Sequence, residues 1–240
     1  MKHLMTAMFA STMLALSLCA CSGSGSGAQA SGSSDAPPAQ EQASAEAALQ
    51  DLEIVEAGYG VGESGYLHYA VCIHNPNQTK SAMFPVVHVT CKDSEGTLIS
   101  SDDWTLGEIR PGETAYYAMQ AGNGNIAADA EVTFTVTMRE ENWLDSEPLS
   151  DDPYVIDGLN VVENYGMYSF LGEITLNEGG EDYDSPMLVL VLRDADGHIV
   201  YGTSTYIYDE LSVGTPAAFE INAYDVPEYA SYEVYANPWT

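Results

Sequence analysis

Positive charge is nearly missing from this chain. Six Lys and Arg stand against 36 Asp and Glu among 240 residues, a formal net charge of −30. Such a surface repels phosphate backbones and anionic headgroups. That excludes nucleic acid as a partner and direct docking of the folded part on a lipid surface. It favours cationic partners and divalent ions, with plain solubility as the simpler account. Catalytic motifs are missing too. There is no nucleophile elbow, no zinc-protease helix motif and no phosphate loop. Long apolar runs are limited to Leu4–Leu18, which is short of the ~20 residues of a spanning helix. Cysteine is scarce: four in all, of which Cys19 and Cys21 close that apolar run.

What is present at the N-terminus reads as an address. Lys2 and His3 form a short polar start, and the apolar run ends in Leu18-Cys19-Ala20-Cys21. This resembles the bacterial lipobox, in which a small residue precedes a Cys that is lipidated. Ala20 is small and Leu18 stands three residues before Cys21, so Cys21 is the expected lipidation site. Residues 1–20 are then a lipoprotein signal peptide. A bacterial lipoprotein carries at least two acyl chains, enough for stable anchoring in the membrane. Residues 21–50 are rich in Gly, Ser, Ala and Pro and read as a flexible tether. Its reach is on the order of 30 Å.

Beyond the tether the chain repeats itself. CKDSEGTLI at Cys91–Ile99 returns as LRDADGHIV at Leu192–Val200. The same 101-residue offset aligns Val61 with Val162, Gly65 with Gly166, and Val87 and Val89 with Leu188 and Leu190. Two copies of one domain follow, over residues 51–145 and 146–240, with a linker near Asn142–Pro153. Alternation predicts strands at Tyr66–Asn75, Met83–Lys92, Thr114–Gln120 and Ala130–Arg139 in the first copy. In the second it predicts Met167–Asn177, Met187–Arg193, Ile199–Tyr208, Ala217–Ala223 and Tyr229–Ala236. The fold class is all-β: two tandem antiparallel sandwiches. Asp-x-x-Gly between two such runs is turn chemistry, because Gly accepts positive φ and Asp bonds its own backbone. A helix-loop-helix calcium loop would need more oxygen ligands and a Glu at its twelfth position.

An apolar strand ending in Asp-x-x-Gly, a second strand, and then Leu106-Gly-Glu-Ile-Arg-Pro-Gly-Glu before an aromatic strand is similar to the FxLYD-type domain of bacterial lipoproteins. Val89-Thr-Cys-Lys-Asp stands where the name-giving run would be, and Val191-Leu-Arg-Asp takes that place in the second copy, which lacks Pro-Gly-Glu. The resemblance covers about residues 51–240. It implies immunoglobulin-like sandwiches on a surface lipoprotein, with no catalytic residues to carry over.

Several clusters are candidates for chemistry. Val71 and Ile73 read as core-facing, which turns Cys72 outward, whereas Cys91 shares the inward face of Val87 and Val89. A Cys72–Cys91 disulfide is therefore disfavoured, although the compartment permits one. His68, Cys72 and His74 share strand parity, and His88 could lie on a neighbouring strand. Cys72 and His74 would stand ~7 Å apart and His68 ~13 Å from Cys72, too far for one ion. Acidic pairs recur in loops at Asp102-Asp103, Glu140-Glu141, Asp151-Asp152 and Glu181-Asp182. Calcium is the one cofactor to weigh, at Asp151 and Asp152 if they meet the other copy, or at Asp194 and Asp196. Sixteen Tyr suit either cores or recognition faces, Tyr206 and Tyr208 sharing one of them. Trp143 and Trp239 read as plugs at the ends of the two sandwiches. The expected function is a non-catalytic surface module with a protein or glycan partner. A divalent-cation-stabilised spacer is the second reading and an envelope-polymer hydrolase the third.

Overall fold

The computed structural model describes residues 48–149, 151–179, 183 and 185–239. Cys21, the expected signal segment and most of the expected tether lie outside the described residues, as do Glu181, Asp182 and Asp184. Fourteen strands follow one another, with no α-helix among the described residues. In the first copy they are β1 (Glu53–Val61), β2 (Leu67–His74), β3 (Lys80–Ala82), β4 (Val86–Lys92), β5 (Leu98–Thr105), β6 (Thr114–Ala121), β7 (Glu131–Thr137) and β8 (Trp143–Asp145). In the second they are β9 (Tyr154–Asn164), β10 (Met167–Leu176), β11 (Pro186–Arg193), β12 (Ile199–Tyr206), β13 (Ala217–Ala223) and β14 (Ser231–Pro238).

The sheets repeat with the sequence. Order β1-β2-β6 with β5-β4-β7 in the first copy becomes β9-β10-β13 with β12-β11-β14 in the second. This is the strand order A-B-E and C′-C-F of an immunoglobulin-like sandwich. Strand alternation builds the first core. Val87, Val89 and Cys91 point inward from β4, and Val132, Phe134 and Val136 do so from β7. They meet Leu67, Tyr69, Val71 and Ile73 of β2. The second core sets Leu188, Leu190 and Leu192 against Phe170, Ile174, Phe219 and Ile221. The short pair β3-β8 is added only in the first copy, so a strand occupies the start of the expected linker.

The two Asp-x-x-Gly turns are the same object. Asp93 Oδ1 accepts the N–H groups of Glu95 and Thr97, and Asp194 Oδ1 those of Asp196 and His198. Gly96 and Gly197 close them at φ 82° and 87°, where L residues are disfavoured. A register shift precedes each turn, at Cys91/Lys92 and at Leu192/Arg193. A duplicated bulge beside a duplicated turn is strong evidence for duplication, because bulges are built features.

The sandwiches are joined face to face. β11 is buried on both sides: Leu188, Leu190 and Leu192 enter its own core, whereas Met187, Val189 and Val191 join the core of the first copy. β12 lies across β1, β2 and β6. Four sheets are therefore stacked, in the order β5-β4-β7, β1-β2-β6, β12-β11-β14, β9-β10-β13. Small residues let the middle two approach. A Cβ on Gly58 would lie 2.3 Å from the Ile199 carbonyl oxygen, and one on Gly202 2.5 Å from that of Tyr69.

Candidate functional site at the seam between the repeats

The seam carries a charged clasp. Arg193 at the end of β11 reaches into the first copy. Its Nη1 donates to Glu56 Oε1 at 2.5 Å, and its Nη2 to Glu56 Oε2 at 3.1 Å and to the Tyr116 hydroxyl at 3.0 Å. Its Nε donates to Glu233 Oε2 at 2.7 Å. The Tyr116 hydroxyl donates in turn to Glu56 Oε2 at 2.7 Å. Hydrogen bonding from Arg193 holds the Glu56 carboxyl below its ordinary range, against the opposing effect of burial. Tyr116 also stacks on Tyr235, with ring centres 4.3 Å apart.

β2 and β6 run antiparallel, with Leu67 opposite Ala121 and His74 opposite Thr114. A cavity opens at each end of this pair. At the Thr114 end, a cavity of about 480 Å³ is lined by Glu113 and Tyr116 of the first copy and by Asp151, Asp152, Tyr235 and Asn237. Asp151 and Asp152 thus border one cavity with Glu113 of the first copy. Burial raises the Glu113 pKa, and the charges of Glu108 and Asp152 add to the rise. A carboxyl with a raised folded pKa costs stability at neutral pH, and that cost disappears as pH falls through the raised value. Glu113→Gln is accordingly expected to raise the neutral-pH melting temperature by a few degrees, with the gain fading on acidification. Its Oε1 could still accept the Arg110 N–H that Glu113 Oε2 takes at 2.6 Å. Calorimetry at a series of pH values checks this, and a gain that grows on acidification would refute it.

At the other end, a cavity of about 470 Å³ is lined by Tyr66, His68 and Gln120 from the first copy and by Tyr201, Thr203, Asn222, Tyr224 and Asp225 from the second. His68 is only 7% exposed. Its ring stacks on Tyr201 at 4.5 Å. Its Nδ1 is buried with no hydrogen-bond partner, and its Nε2 has only the Gln120 amide nitrogen, at 3.5 Å. Burial lowers its pKa, with Asp225 opposing, so the ring is neutral at neutral pH. A neutral imidazole offers one donor and one acceptor. Asp225 stands at φ 53°, and its Oδ2 accepts both the N–H and the hydroxyl of Ser64 across the seam.

The other sequence candidates are dispersed. Cys72 does face away from its own core, as alternation predicts, but that face is covered by the second copy, so Cys72 is buried. Cys72 and Cys91 are both free thiols, and the disulfide weighed between them is not formed, because they leave their strands on faces that do not meet. The His68, Cys72, His74 and His88 set is not one site. His74 Nδ1 is spent on the Glu113 carbonyl and the Thr114 hydroxyl, and His88 lies on the outer sheet of the first copy. There Asp103 Oδ1, His88 and Thr137 form a row, with 2.6 Å at Nδ1 and 2.7 Å at Nε2. A hydroxyl–imidazole–carboxylate row is the start of a nucleophile's geometry. On a sheet face, however, the backbone N–H groups that could stabilise an oxyanion lie in the plane of the sheet, not beside the hydroxyl.

Asp194, Asp196 and His198 bring ligand atoms within 4.8 Å of one another on the exposed turn. Asp194 is already committed to backbone N–H groups, which depress its pKa. Tyr206, Tyr208 and Trp239 form an aromatic cleft, with Trp239 edge-on to Tyr206 at 5.0 Å and Tyr208 88% exposed. Trp143 packs partly buried against the first core. Trp239 does not plug the second sandwich. It is 39% exposed, because it follows the last strand and lies outside the sheet.

Gln120, Asn222 and Asp225 are seam residues that motif reading passes over. Two signals could have found the seam itself. Met187-Leu-Val-Leu-Val-Leu is apolar without alternation, the mark of a strand covered on both faces. Gly58 and Gly60 alternate on β1, where backbones meet. The chain matches no protein-family model and no curated protein.

Proposed function

We propose that this chain is a non-catalytic binding lipoprotein of the bacterial envelope. Cys21 carries the acyl anchor, the Gly/Ser/Ala/Pro segment lifts the folded part away from the membrane, and the paired FxLYD-type sandwiches present a ligand site outside the cytoplasm. The observation that carries the binding role is the seam. Two repeats enclose clefts lined by aromatic rings, amides and carboxylates, the chemistry of recognition more than of turnover. Catalysis would ask for a nucleophile beside oxyanion donors, or for two carboxylates at fixed separation in a cleft.

The test combines two measurements. The chain from Ser22 onward, which keeps every described strand, is mixed with purified cell-envelope material and sedimented. Co-sedimentation without release of reducing ends or peptides is the expected result. Release that disappears in a single-carboxylate variant would overturn the reading in favour of a hydrolase. In cells, Cys21→Ser is expected to move the protein from the membrane fraction to the soluble one. The second reading is a divalent-cation-stiffened spacer, favoured by Glu113, Asp151 and Asp152 around one cavity. Calorimetry with calcium and then EDTA decides it, since only a calcium-dependent rise of many degrees supports that reading.

A further inference from the structure

We infer that the cleft around His68 is a binding site for a neutral saccharide unit. The inference rests on the binding role proposed above and names its ligand class. Size is the first observation. At about 470 Å³ the cleft falls in the range of small-molecule sites. The second is an unmet polar atom. Buried ring nitrogens are rarely left without a partner, yet His68 Nδ1 is, in a residue 93% buried that lines the cleft.

The third observation is the kind of groups on offer. Asn222 borders the cleft from the end of β13, with its Oδ1 accepting the Ser169 hydroxyl at 2.9 Å. Gln120 lies loosely against His68. Thr203 adds a hydroxyl. Amides, a hydroxyl and a neutral imidazole each give and take hydrogen bonds, as sugar hydroxyls do. Tyr224 stands at the rim, 58% exposed, and offers a ring face to the C–H side of a pyranose.

Charge narrows the class. The lining holds no Lys or Arg and the chain carries −30 overall, so a phosphate or carboxylate ligand would meet repulsion. A cation would find only one carboxylate, Asp225, whose Oδ2 already holds the Ser64 N–H and hydroxyl. A neutral polyol satisfies the mixed donors and acceptors without either conflict. The site exists only because the repeats are stacked, since each supplies about half of the lining.

The experiment is NMR titration of isotope-labelled chain from Ser22 onward. The probes are chitotetraose, cellotetraose, maltotetraose, xylotetraose and mannotetraose, with choline chloride as the cationic comparison. At least one oligosaccharide is expected to shift the His68 imidazole and the Gln120 side-chain amide together. Gln120→Ala and Tyr224→Ala, both at exposed positions, are each expected to weaken that binding roughly tenfold while leaving the spectrum folded. The inference is overturned if no saccharide moves these signals, if choline alone moves them, or if binding ignores both variants. Envelope co-sedimentation that persists in Gln120→Ala would then leave the binding role standing with its site elsewhere. Loss of co-sedimentation in the unaltered chain would remove both.

Discussion

Gly202→Val is expected to lower the stability of the folded unit by about 3 kcal/mol, the upper part of the usual cost of overpacking. Gly202 sits in β12, opposite Val191 of β11, where the second repeat lies on the first. A Cβ there would be 2.5 Å from the Tyr69 carbonyl oxygen and 2.8 Å from Ala118 Cβ. Neither neighbour can swing aside, because one is backbone and the other is a methyl fixed on a central sheet. The middle sheets must separate, and Met187, Val189 and Val191 would lose cover they have only from the first repeat. Urea unfolding followed by tryptophan fluorescence measures the loss, and dye binding reports the exposed apolar face. Two transitions in place of one would show that the seam couples the repeats. Gly107→Ala is the control. Its Cβ would make only ordinary contact, 3.5 Å from the Pro238 oxygen, and its effect is expected within about 0.5 kcal/mol. A Gly202→Val variant as stable as that control would mean that the sheets do not touch as closely as described.

Much of this architecture is legible in the residues. Val87, Val89 and Cys91 alternate with His88 and Thr90, so β4 declares an inner and an outer face, and the fold keeps them. Asp93 and Asp194 declare their turns by local chemistry that needs no tertiary partner. What alternation cannot state is whether an outer face is wet. That depends on the other repeat, and the difference between repeats carries it. Val86, His88, Thr90 and Lys92 face outward from β4, and their counterparts on β11 are Met187, Val189, Val191 and Arg193. The apolar set is the covered one. On the A-B-E sheets the pattern reverses. His68, Ala70 and Cys72 lie in the seam, whereas Ser169, Leu171 and Glu173 lie on a free face. The stack is therefore heterologous, the A-B-E sheet of one repeat on the C′-C-F sheet of the other. The candidate clefts are legible only after that pairing is known, because no single repeat contains them.

Arg193 gives the second large effect, and it tests the same seam by charge instead of shape. Arg193→Met is expected to cost about 2 kcal/mol. Breaking a fully buried ion pair costs roughly 3–5 kcal/mol, but the Glu56 side chain is 34% exposed, and solvent screens part of that interaction. Methionine keeps the apolar stem and removes the five donors, so Glu56, Glu233 and the Tyr116 hydroxyl lose the guanidinium while the Tyr116–Glu56 hydrogen bond and the packing are largely retained. The pH dependence identifies the mechanism. Hydrogen bonding to Arg193 holds Glu56 below its ordinary value of 4.5, so the pair contributes stability that is present above that value. The contribution is lost as pH falls through the lower folded pKa. Wild type should therefore exceed Glu56→Gln in stability at neutral pH, and the gap should narrow as the pH falls below 4.5 and through the lowered folded pKa. In the Arg193→Met background the same Glu56→Gln change should make little difference at any pH, the double-mutant signature of direct coupling. Equal losses from Glu56→Gln in both backgrounds would mean that Glu56 acts through Tyr116 alone, and that the clasp does not hold the repeats together.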